Sequence, residues 1–337
     1  MTIMHDVRFG VQIPTWAGAG GALSGRDAPL YEQIDWKITK NNAVLAEKLE
    51  YDSIWMADHF TFGRNNEMLE IWTALSALSS LTDRVQLGCL VMCILHREPS
   101  VLAKMAATLD HISNGRLILG MGTGWFEPEI RAYGLRFPSP GERISRLKEG
   151  VKIMKSMWTD DKPSFKGKYY SIENAVCRPM PIQPGGPPVI IGALGPQMLR
   201  AVVEVGDGWN MSDDPSVDLY KNKLAIINDW CVKLGKSPSS FLKTWDGHVV
   251  IGKNEKEFEG KIEKLRKADL SGPDALVGPF EGAKMLENCI SGTPDQCIKK
   301  IKSLVALGIS HFSLYFLDYP SSDGLRVFAE EVLPEFR

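Results

Sequence analysis

Short apolar runs alternate with longer stretches of helical spacing along this chain. Residues 85–92 form a nearly continuous apolar run, which is typical of a strand covered on both faces. Pro99 suits a first helical turn, and apolar residues then recur on one helical face, at Leu102, Met105, Ala106, Leu109 and Ile112. A second apolar run follows at 116–121. Two buried strands joined by an amphipathic helix predict a right-handed βαβ unit.

The same alternation extends over the rest of the chain. Eight short apolar runs, most of them followed by a helical stretch, lie at 8–13, 52–57, 85–92, 116–121, 189–191, 206–210, 244–252 and 309–316. This order predicts an α/β fold, a (β/α)8 TIM barrel with insertions, for which 337 residues are ample since such barrels take roughly 250. We predict a single domain, 1–337, with insertions at about 159–188 and 271–290. The Gly- and Ala-rich stretch 15–29 predicts a loop, either a lid or a plain connection.

Composition and charge are those of an ordinary globular protein. The chain is 44% hydrophobic and 24% charged with a formal net charge of −2, so no global field favours nucleic acid or an anionic membrane as a partner. The first residues lack the apolar segment of a signal peptide, and no run approaches the ~18 apolar residues of a membrane-spanning helix. Six scattered cysteines without a CxxC pair favour reduced thiols. These features predict a cytoplasmic protein.

Polar, glycine and aromatic residues collect where the predicted strands end. In a TIM barrel the active site lies at the C-terminal ends of the strands, here Gln12 to Pro14, Asp58-His59, Met92-Cys93, Thr123 to Trp125, Gly192-Ala193 and Trp209-Asn210. His59 stands beside Asp58, and imidazole is the side chain that exchanges protons most readily near neutral pH. His59 is therefore a candidate general acid or base. The alternative is that His59 only hydrogen-bonds a cofactor or a loop carbonyl.

Two glycine-bearing loops are candidates for binding a ligand through backbone N–H groups. The stretch 120–124 is not a GxGxxG dinucleotide motif, because position 125 is Trp. It predicts either a nest for a phosphate or flat ring, or simply a tight turn. The loop 192–195 precedes a helix, whose first N–H groups suit an anion. His96-Arg97 could attract a phosphate or form a surface pair, and since no HxH or HExxH pair occurs we predict no metal site.

Five segments carry a family resemblance: VLAKMAATLDHISNGRLILGMGTGWFEPEIRAYG, GER at 141–143, FKGKYY at 165–170, PMPIQPGGPPVIIGALGP at 179–196, and GDGWN at 206–210. Together they resemble the luciferase-like monooxygenase superfamily, and within it the coenzyme F420-dependent oxidoreductases. The resemblance implies a bacterial-luciferase-like TIM barrel, usually a homodimer, that binds either FMN or the deazaflavin coenzyme F420.

The same resemblance implies roles for particular residues. Asp58 would contact the deazaflavin ring and His59 would transfer a proton. Leu90-Val91 would carry a non-prolyl cis peptide behind the ring, and Cys93 would be a small ring contact. The remaining cofactor contacts would come from two loops, at Thr123, Gly124, Gly192, Ala193, Leu194, Gly195, Pro196 and Gln197. We predict that the substrate side is walled by tryptophans, at Trp16, Trp125 and Trp209.

Trp125 is a departure from the sugar-phosphate dehydrogenases of the group, which carry a glutamate at that place. Glu127 or Glu129 could take over the role of this acid, and the substrate stays open. The sequence therefore predicts hydride transfer between coenzyme F420 and a small organic molecule. The alternative is an FMN-dependent monooxygenase supplied with reduced flavin by a partner reductase, although the loop 192–195 lacks a Ser or Thr for the FMN phosphate. A third hypothesis is a cofactor-binding barrel without turnover.

Overall fold

A computed structural model describes residues 7–16, 33–211, 214–267 and 287–337 of the chain. The loop predicted at 15–29 and the insertion predicted at 271–290 lie largely outside the described residues. Within the described residues, no helix has the length and apolar character needed to cross a membrane. All six cysteines are unpaired and buried, as the sequence predicts.

Eight parallel strand positions close into a barrel, which confirms the predicted TIM fold. The strands are β1 (Arg8–Gln12), β2 (Ser53–Met56), β3 (Gln86–Cys89), β4 (Met92–Cys93), β5 (Leu117–Gly122), β6 (Phe165–Lys166), β7 (Ser171–Ile172), β8 (Val189–Gly192), β9 (Gly208–Met211), β10 (Leu242–Ile251), β11 (Ile290–Gly292) and β12 (His311–Phe316). Around the barrel the order is β10, β12, β1, β2, β3, β5, β8 and β9, and β9 pairs back onto β10. The antiparallel pair of β6 and β7 is the hairpin of the first insertion.

Helices follow most of the barrel strands, as the apolar spacing predicts. They are α1 (Trp36–Lys48), α2 (Ile71–Ser79), α3 (Pro99–Ile112), α4 (Glu127–Ala132), α5 (Pro140–Thr159), α6 (Pro196–Val205), α7 (Val217–Lys233), α8 (Glu255–Lys267), α9 (Pro294–Val305) and α10 (Asp323–Glu331). Helix α2 begins at Ile71 because Glu70 caps it. The Glu70 carboxylate accepts hydrogen bonds from the N–H groups of Trp72 (3.2 Å) and Thr73 (2.8 Å).

Most of the hydrophobic core lies between the barrel and its surrounding helices. The barrel interior contains a smaller apolar cluster of Trp55, Ile118 and Ile190. The indole of Trp55 lies against two glycines, because a Cβ at Gly10 would come within 2.3 Å of its Nε1 and one at Gly88 within 2.1 Å of its Cε3. These glycines are therefore required by the ring that fills this part of the barrel.

The third strand is interrupted, whereas the sequence predicts one continuous run over 85–92. The chain leaves the sheet between β3 and β4, and the peptide bond between Leu90 and Val91 is cis. The family resemblance implies a cis peptide at this position, and the structure agrees. Leu90 and Val91 are half-buried, whereas residues 87–89 and 92–94 on either side are buried.

Candidate active site

Asp58 and His59 follow β2 and take part in different sets of contacts. The Asp58 side chain is buried, and its carboxylate accepts hydrogen bonds from the backbone N–H of Cys93 (2.9 Å) and from Nη1 of Arg97 (2.9 and 3.0 Å). The imidazole Nδ1 of His96 lies 3.3 Å from the same carboxylate, and the His96 side chain is 1% exposed. Asp58 thus joins the end of β2 to the loop that follows β4.

The charges in this cluster stabilise one another. Burial alone raises the pKa of the Asp58 carboxyl, but His96 and Arg97 outweigh it and the pKa is lowered. Burial lowers the pKa of His96, whereas Asp58 and Cys93 raise it, to about 10. His96 is therefore an imidazolium at neutral pH, between the carboxylates of Asp58 and of Glu129, whose Oε2 lies 3.9 Å from His96 Nε2.

The structure rejects both interpretations of His96-Arg97 that the sequence allows. The pair does not lie on the surface, since the Arg97 side chain is only 12% exposed. It does not offer free positive charge to a phosphate either. Arg97 binds Asp58 through Nη1 and the helix-capping Glu70 through Nη2, at 2.7 Å. Arg97 therefore couples the start of α2 to the end of β2.

His59 is paired with Glu129, a residue of α4. Nδ1 of His59 lies 2.9 Å from Oε2 of Glu129, and Oε1 of the same carboxylate accepts hydrogen bonds from the N–H groups of Thr61 (2.9 Å) and Phe60. Burial raises the pKa of Glu129, but the hydrogen bonds from His59 and these N–H groups outweigh it, so the pKa is lowered. Because an ionised carboxylate can only accept, Nδ1 of His59 carries a hydrogen, and Nε2 is the nitrogen that can exchange a proton with a substrate.

Of the two acids that the sequence offers near Trp125, Glu129 is the one that contacts His59. Its side chain is 1% exposed. Glu127, two residues earlier on the same short helix, forms an exposed ion pair with Arg131 at 2.6 Å. Glu129 therefore supplies an acid near His59 even though Trp125 occupies the position of the expected glutamate.

An aromatic wall surrounds His59, and we define it as Trp16, Phe62, Trp125, Phe126 and Tyr315. Phe62 stacks on the imidazole at 4.4 Å between centroids, and Trp125 meets the imidazole edge-on at 5.7 Å. Trp16 contacts Phe62 at 5.9 Å and stacks on Tyr315 at 5.7 Å. Trp125 is 61% exposed, which is unusual for so large an apolar ring. Trp16 and Trp125 therefore both belong to the group of rings at His59, and their contact with a substrate stays a prediction.

Trp209 does not belong to this wall, and its predicted role as a substrate contact is wrong. Its side chain has no exposed surface, lies 4.7 Å from the ring of Tyr220 in α7, and donates a hydrogen bond from Nε1 to the carbonyl of Ala193 (2.9 Å). The side chain of the neighbouring Asn210 accepts a hydrogen bond from the hydroxyl of Thr244 in β10. Successive side chains of β9 point to opposite faces, and Trp209 points to the helices.

Glycines around the interrupted third strand leave room for Val91. A Cβ at Gly120 would lie 1.9 Å from the carbonyl oxygen of Cys89, and one at Gly122 would lie 2.5 Å from Cγ2 of Val91. Gly192 faces the same side chain, at 3.4 Å. We call these three glycines and Val91 the glycine cradle; they lie where β5 and β8 pass the interruption of the third strand, and Val91 carries the only side chain among them. Glycines allow backbone to approach a ligand closely, as a flat ring lying at Val91 would require.

The loop after β5 is held by contacts with Arg143 and Cys93. Gly124 has a φ of +73°, its carbonyl accepts a hydrogen bond from Nη1 of Arg143, and a Cβ at this position would lie 2.5 Å from Sγ of Cys93. Thr123 is half-buried beside it. Glycine is thus required at 124 both by its backbone conformation and by the approach of the thiol. Arg143 lies on α5 and belongs to the GER segment of the family resemblance, but nothing in the local pattern indicates that its side chain reaches Gly124.

The loop 192–197 ends at the start of α6, where an anion could bind. Gly195 is the N-cap and provides no side-chain hydrogen bond, and Pro196 has no N–H. The first turn therefore presents the N–H groups of Gln197 and Met198. Four residues of the loop are exposed: Leu194, Gly195, Pro196 and Gln197. Ala193 differs, because its N–H and carbonyl are already bound to Asn210 and Trp209.

Comparison with known proteins identifies relatives along nearly the whole chain. The model of a family described as luciferase-like monooxygenase matches residues 7–311. A protein of Kineococcus radiotolerans named F420-dependent glucose-6-phosphate dehydrogenase is 36% identical over 88% of this chain and 91% of its own. A protein of the same name from Amycolatopsis mediterranei is 30% identical over 88% and 93%. A solved F420-dependent secondary alcohol dehydrogenase matches 99% of this chain and 100% of its own with a TM-score of 0.79 and 22% identity, which supports the fold.

Proposed function

This chain belongs to the luciferase-like monooxygenase family, and we propose that it is a coenzyme F420-dependent dehydrogenase that oxidises a hydroxyl-bearing carbon of a small molecule. The cofactor assignment is supported by relatives of 30% and 36% identity that are named for F420 and for the oxidation of a sugar phosphate. These relatives give no support to the FMN alternative.

The observation that carries this proposal is the His59–Glu129 pair. Oxidation of an alcohol requires a base that takes the hydroxyl proton while the carbon loses hydride. The carboxylate of Glu129 fixes Nδ1 of His59 as the donor, so Nε2 is the nitrogen that accepts the proton. The stacked ring of Phe62 limits rotation of the imidazole. The aromatic wall shields the reacting groups from water.

The glycine cradle and the first turn of α6 would hold the cofactor, with the flat ring at Val91 and the phosphate at the N–H groups of Gln197 and Met198. Leu90, Cys93, Thr123 and Gly124 lie around the cradle and would contact the ring or its linker. When bound, coenzyme F420 supplies the hydride-accepting chemistry that the side chains of the chain lack. Both oxygens of Asp58 are occupied by other groups, so we propose that Asp58 positions the Cys93 N–H rather than transferring a proton.

The test of the proposed reaction is to supply oxidised coenzyme F420 with a panel of hydroxyl compounds, including glucose 6-phosphate, glucose and a simple secondary alcohol. We expect at least one class to reduce the cofactor, measured as loss of its visible absorbance. Oxygen consumption with reduced FMN, in the absence of any F420 reduction by the panel, would contradict the proposal.

Glu129→Gln tests the role of the acid that pairs with His59. The amide keeps the size of the side chain but cannot fix Nδ1 of His59 as the donor, so we expect kcat to fall about 10- to 100-fold, since a hydrogen bond to a charged group contributes ~1.5–3 kcal/mol. Glu127→Gln on the same helix is the matched control and should leave kcat unchanged. Equal kcat values for both variants would exclude Glu129 from proton transfer.

We also make proposals for the domain organisation, the oligomeric state, the location and the recycling of the cofactor. We propose a single domain spanning 1–337, a homodimer in solution and a cytoplasmic location. Because the proposed reaction leaves the cofactor reduced, we also propose a separate F420-dependent reductase that passes the hydride to another substrate and so reoxidises the cofactor. Family resemblance supports the homodimer, and light scattering of the purified chain would test it by measuring the molar mass against the 37.4 kDa of one chain.

A further inference from the structure

A second cluster of reactive side chains lies outside the residues assigned to the cofactor and to His59. Asp214 follows β9, His248 lies in β10 and Cys289 immediately precedes β11. One potential ligand atom of each residue lies within 4.8 Å of the others. The side chains of Asp214 and His248 are 8% and 14% exposed, and Cys289 is 2% exposed.

The cluster forms where β10 changes its neighbour. β10 pairs with β9 as far as Trp245 and with β11 from Val249 onward. In the gap, Oδ1 of Asp214 accepts the backbone N–H of His248 at 2.7 Å, in the place of a strand partner. A Cβ at Gly247 would lie 2.2 Å from this oxygen, so glycine is needed for the carboxylate to approach. The fold therefore fixes the position of the Asp214 carboxylate before any ligand binds.

The other contacts of this carboxylate are themselves metal-ligand groups. Oδ2 of Asp214 lies 2.5 Å from Nδ1 of His248. Sγ of Cys289 lies within 4.8 Å of the ligand atoms of both residues. One sulfur, one imidazole nitrogen and one carboxylate oxygen converge on one point from three segments of the chain. This mixture of ligands is typical of sites for Zn²⁺ and ions of similar softness.

We propose that Asp214, His248 and Cys289 bind a divalent ion of the zinc class. The bond from the His248 N–H to Oδ1 stays in place and orients the carboxylate, while Oδ2, the imidazole and the sulfur turn to the ion. The ion binds the thiolate form of Cys289, so binding releases the thiol proton. Three protein ligands leave a fourth position for water.

An ion at this position would connect three chain segments beside the aromatic wall. The ring of His248 meets Tyr315 edge-on at 5.4 Å, and Tyr315 stacks on Trp16. The ion would tie together the end of β9, the middle of β10 and the start of β11. Because folded protein binds the ion and unfolded chain holds no preformed site, we expect the ion to raise the melting temperature.

Cobalt titration of the full chain without cofactor tests this site. We expect one Co²⁺ per chain to bind with a thiolate-to-cobalt charge-transfer band in the near ultraviolet, and one equivalent of Zn²⁺ to remove the band. Cys289→Ser should abolish the band and His248→Gln should weaken binding at least tenfold. Cys297→Ser removes another buried, unpaired thiol outside the cluster and is the matched control.

A second readout keeps the proposal testable if Cys289→Ser folds poorly. Zn²⁺ should raise the melting temperature of the wild-type chain and of Cys297→Ser, and should leave that of Asp214→Asn unchanged. The proposal is overturned if the wild-type chain shows no saturable Co²⁺ band at micromolar concentration. It is equally overturned if the band persists in Cys289→Ser.

Discussion

Replacement of His59 by alanine is expected to lower kcat about 10²- to 10⁴-fold, which is the usual contribution of a positioned acid or base. In the proposed reaction Nε2 of His59 accepts the substrate proton, and no other histidine has Glu129 within 3 Å of its ring among the described residues. The cofactor would rest on the glycine cradle rather than on the imidazole. The dissociation constant of coenzyme F420 should therefore change much less than kcat.

Single-turnover reduction of bound coenzyme F420, together with a separate binding titration, distinguishes the two effects. His111→Ala is the control, because His111 is exposed and its ring bonds only the carbonyl of Met180, at 2.7 Å. We expect His111→Ala to retain wild-type kcat. If His59→Ala retains kcat and loses cofactor affinity instead, His59 is a cofactor ligand and not the base.

Replacement of Asp58 by alanine is expected to lower the free energy of unfolding by about 3–5 kcal/mol, because it leaves buried positive charge without its partner. Asp58 is 3% exposed and faces Arg97 and the imidazolium of His96. Chemical denaturation measures the change. Asp161→Ala is the matched control, since Asp161 pairs with Arg178 at 2.5 Å on the surface and exposed pairs contribute only about 0–1 kcal/mol.

The pH dependence of stability gives a second measurement on the same cluster. The pKa of His96 is raised to about 10 in the folded chain, so its contribution is complete below the unfolded value of ~6.5 and is lost as the pH rises through 10. The pKa of Asp58 is lowered, so its contribution is complete above ~3.9 and is lost as the pH falls through the folded value. We expect Asp58→Ala to weaken the alkaline decline. If the loss of stability at high pH is unchanged in Asp58→Ala, the raised pKa of His96 does not depend on Asp58.

The barrel was predictable because each strand is a short apolar run and each run is followed by helical spacing. The error at Trp209 has a different cause. The sequence of β9 is GWNM and all four residues are buried, so the polar Asn210 does not mark a solvent-facing side of the strand. Trp16 and Trp125 lie in loops beyond the strand ends, where an aromatic residue has no such ambiguity, and both reach the wall around His59.

Contacts between residues that lie far apart along the chain could not be predicted from the sequence. The separation between His59 and Glu129 is 70 positions, and nothing in the local pattern favours Glu129 over Glu127. His96-Arg97 resembles a surface pair because its neighbours Asp58 and Glu70 approach only when β2, α2 and the loop after β4 pack together. A search for HxH or HExxH spacing does not find the cluster of Asp214, His248 and Cys289, because these residues are also far apart along the chain.

A titration of the cofactor-free chain with coenzyme F420 and, separately, with FMN tests whether the glycine cradle binds F420. We expect saturable binding of one F420 per chain, at least tenfold tighter than FMN, and weaker F420 binding in Gly120→Ala, whose added Cβ would collide with the Cys89 carbonyl. F420 is not the cofactor of this cradle if FMN binds more tightly than F420, or if Gly120→Ala leaves F420 binding unchanged.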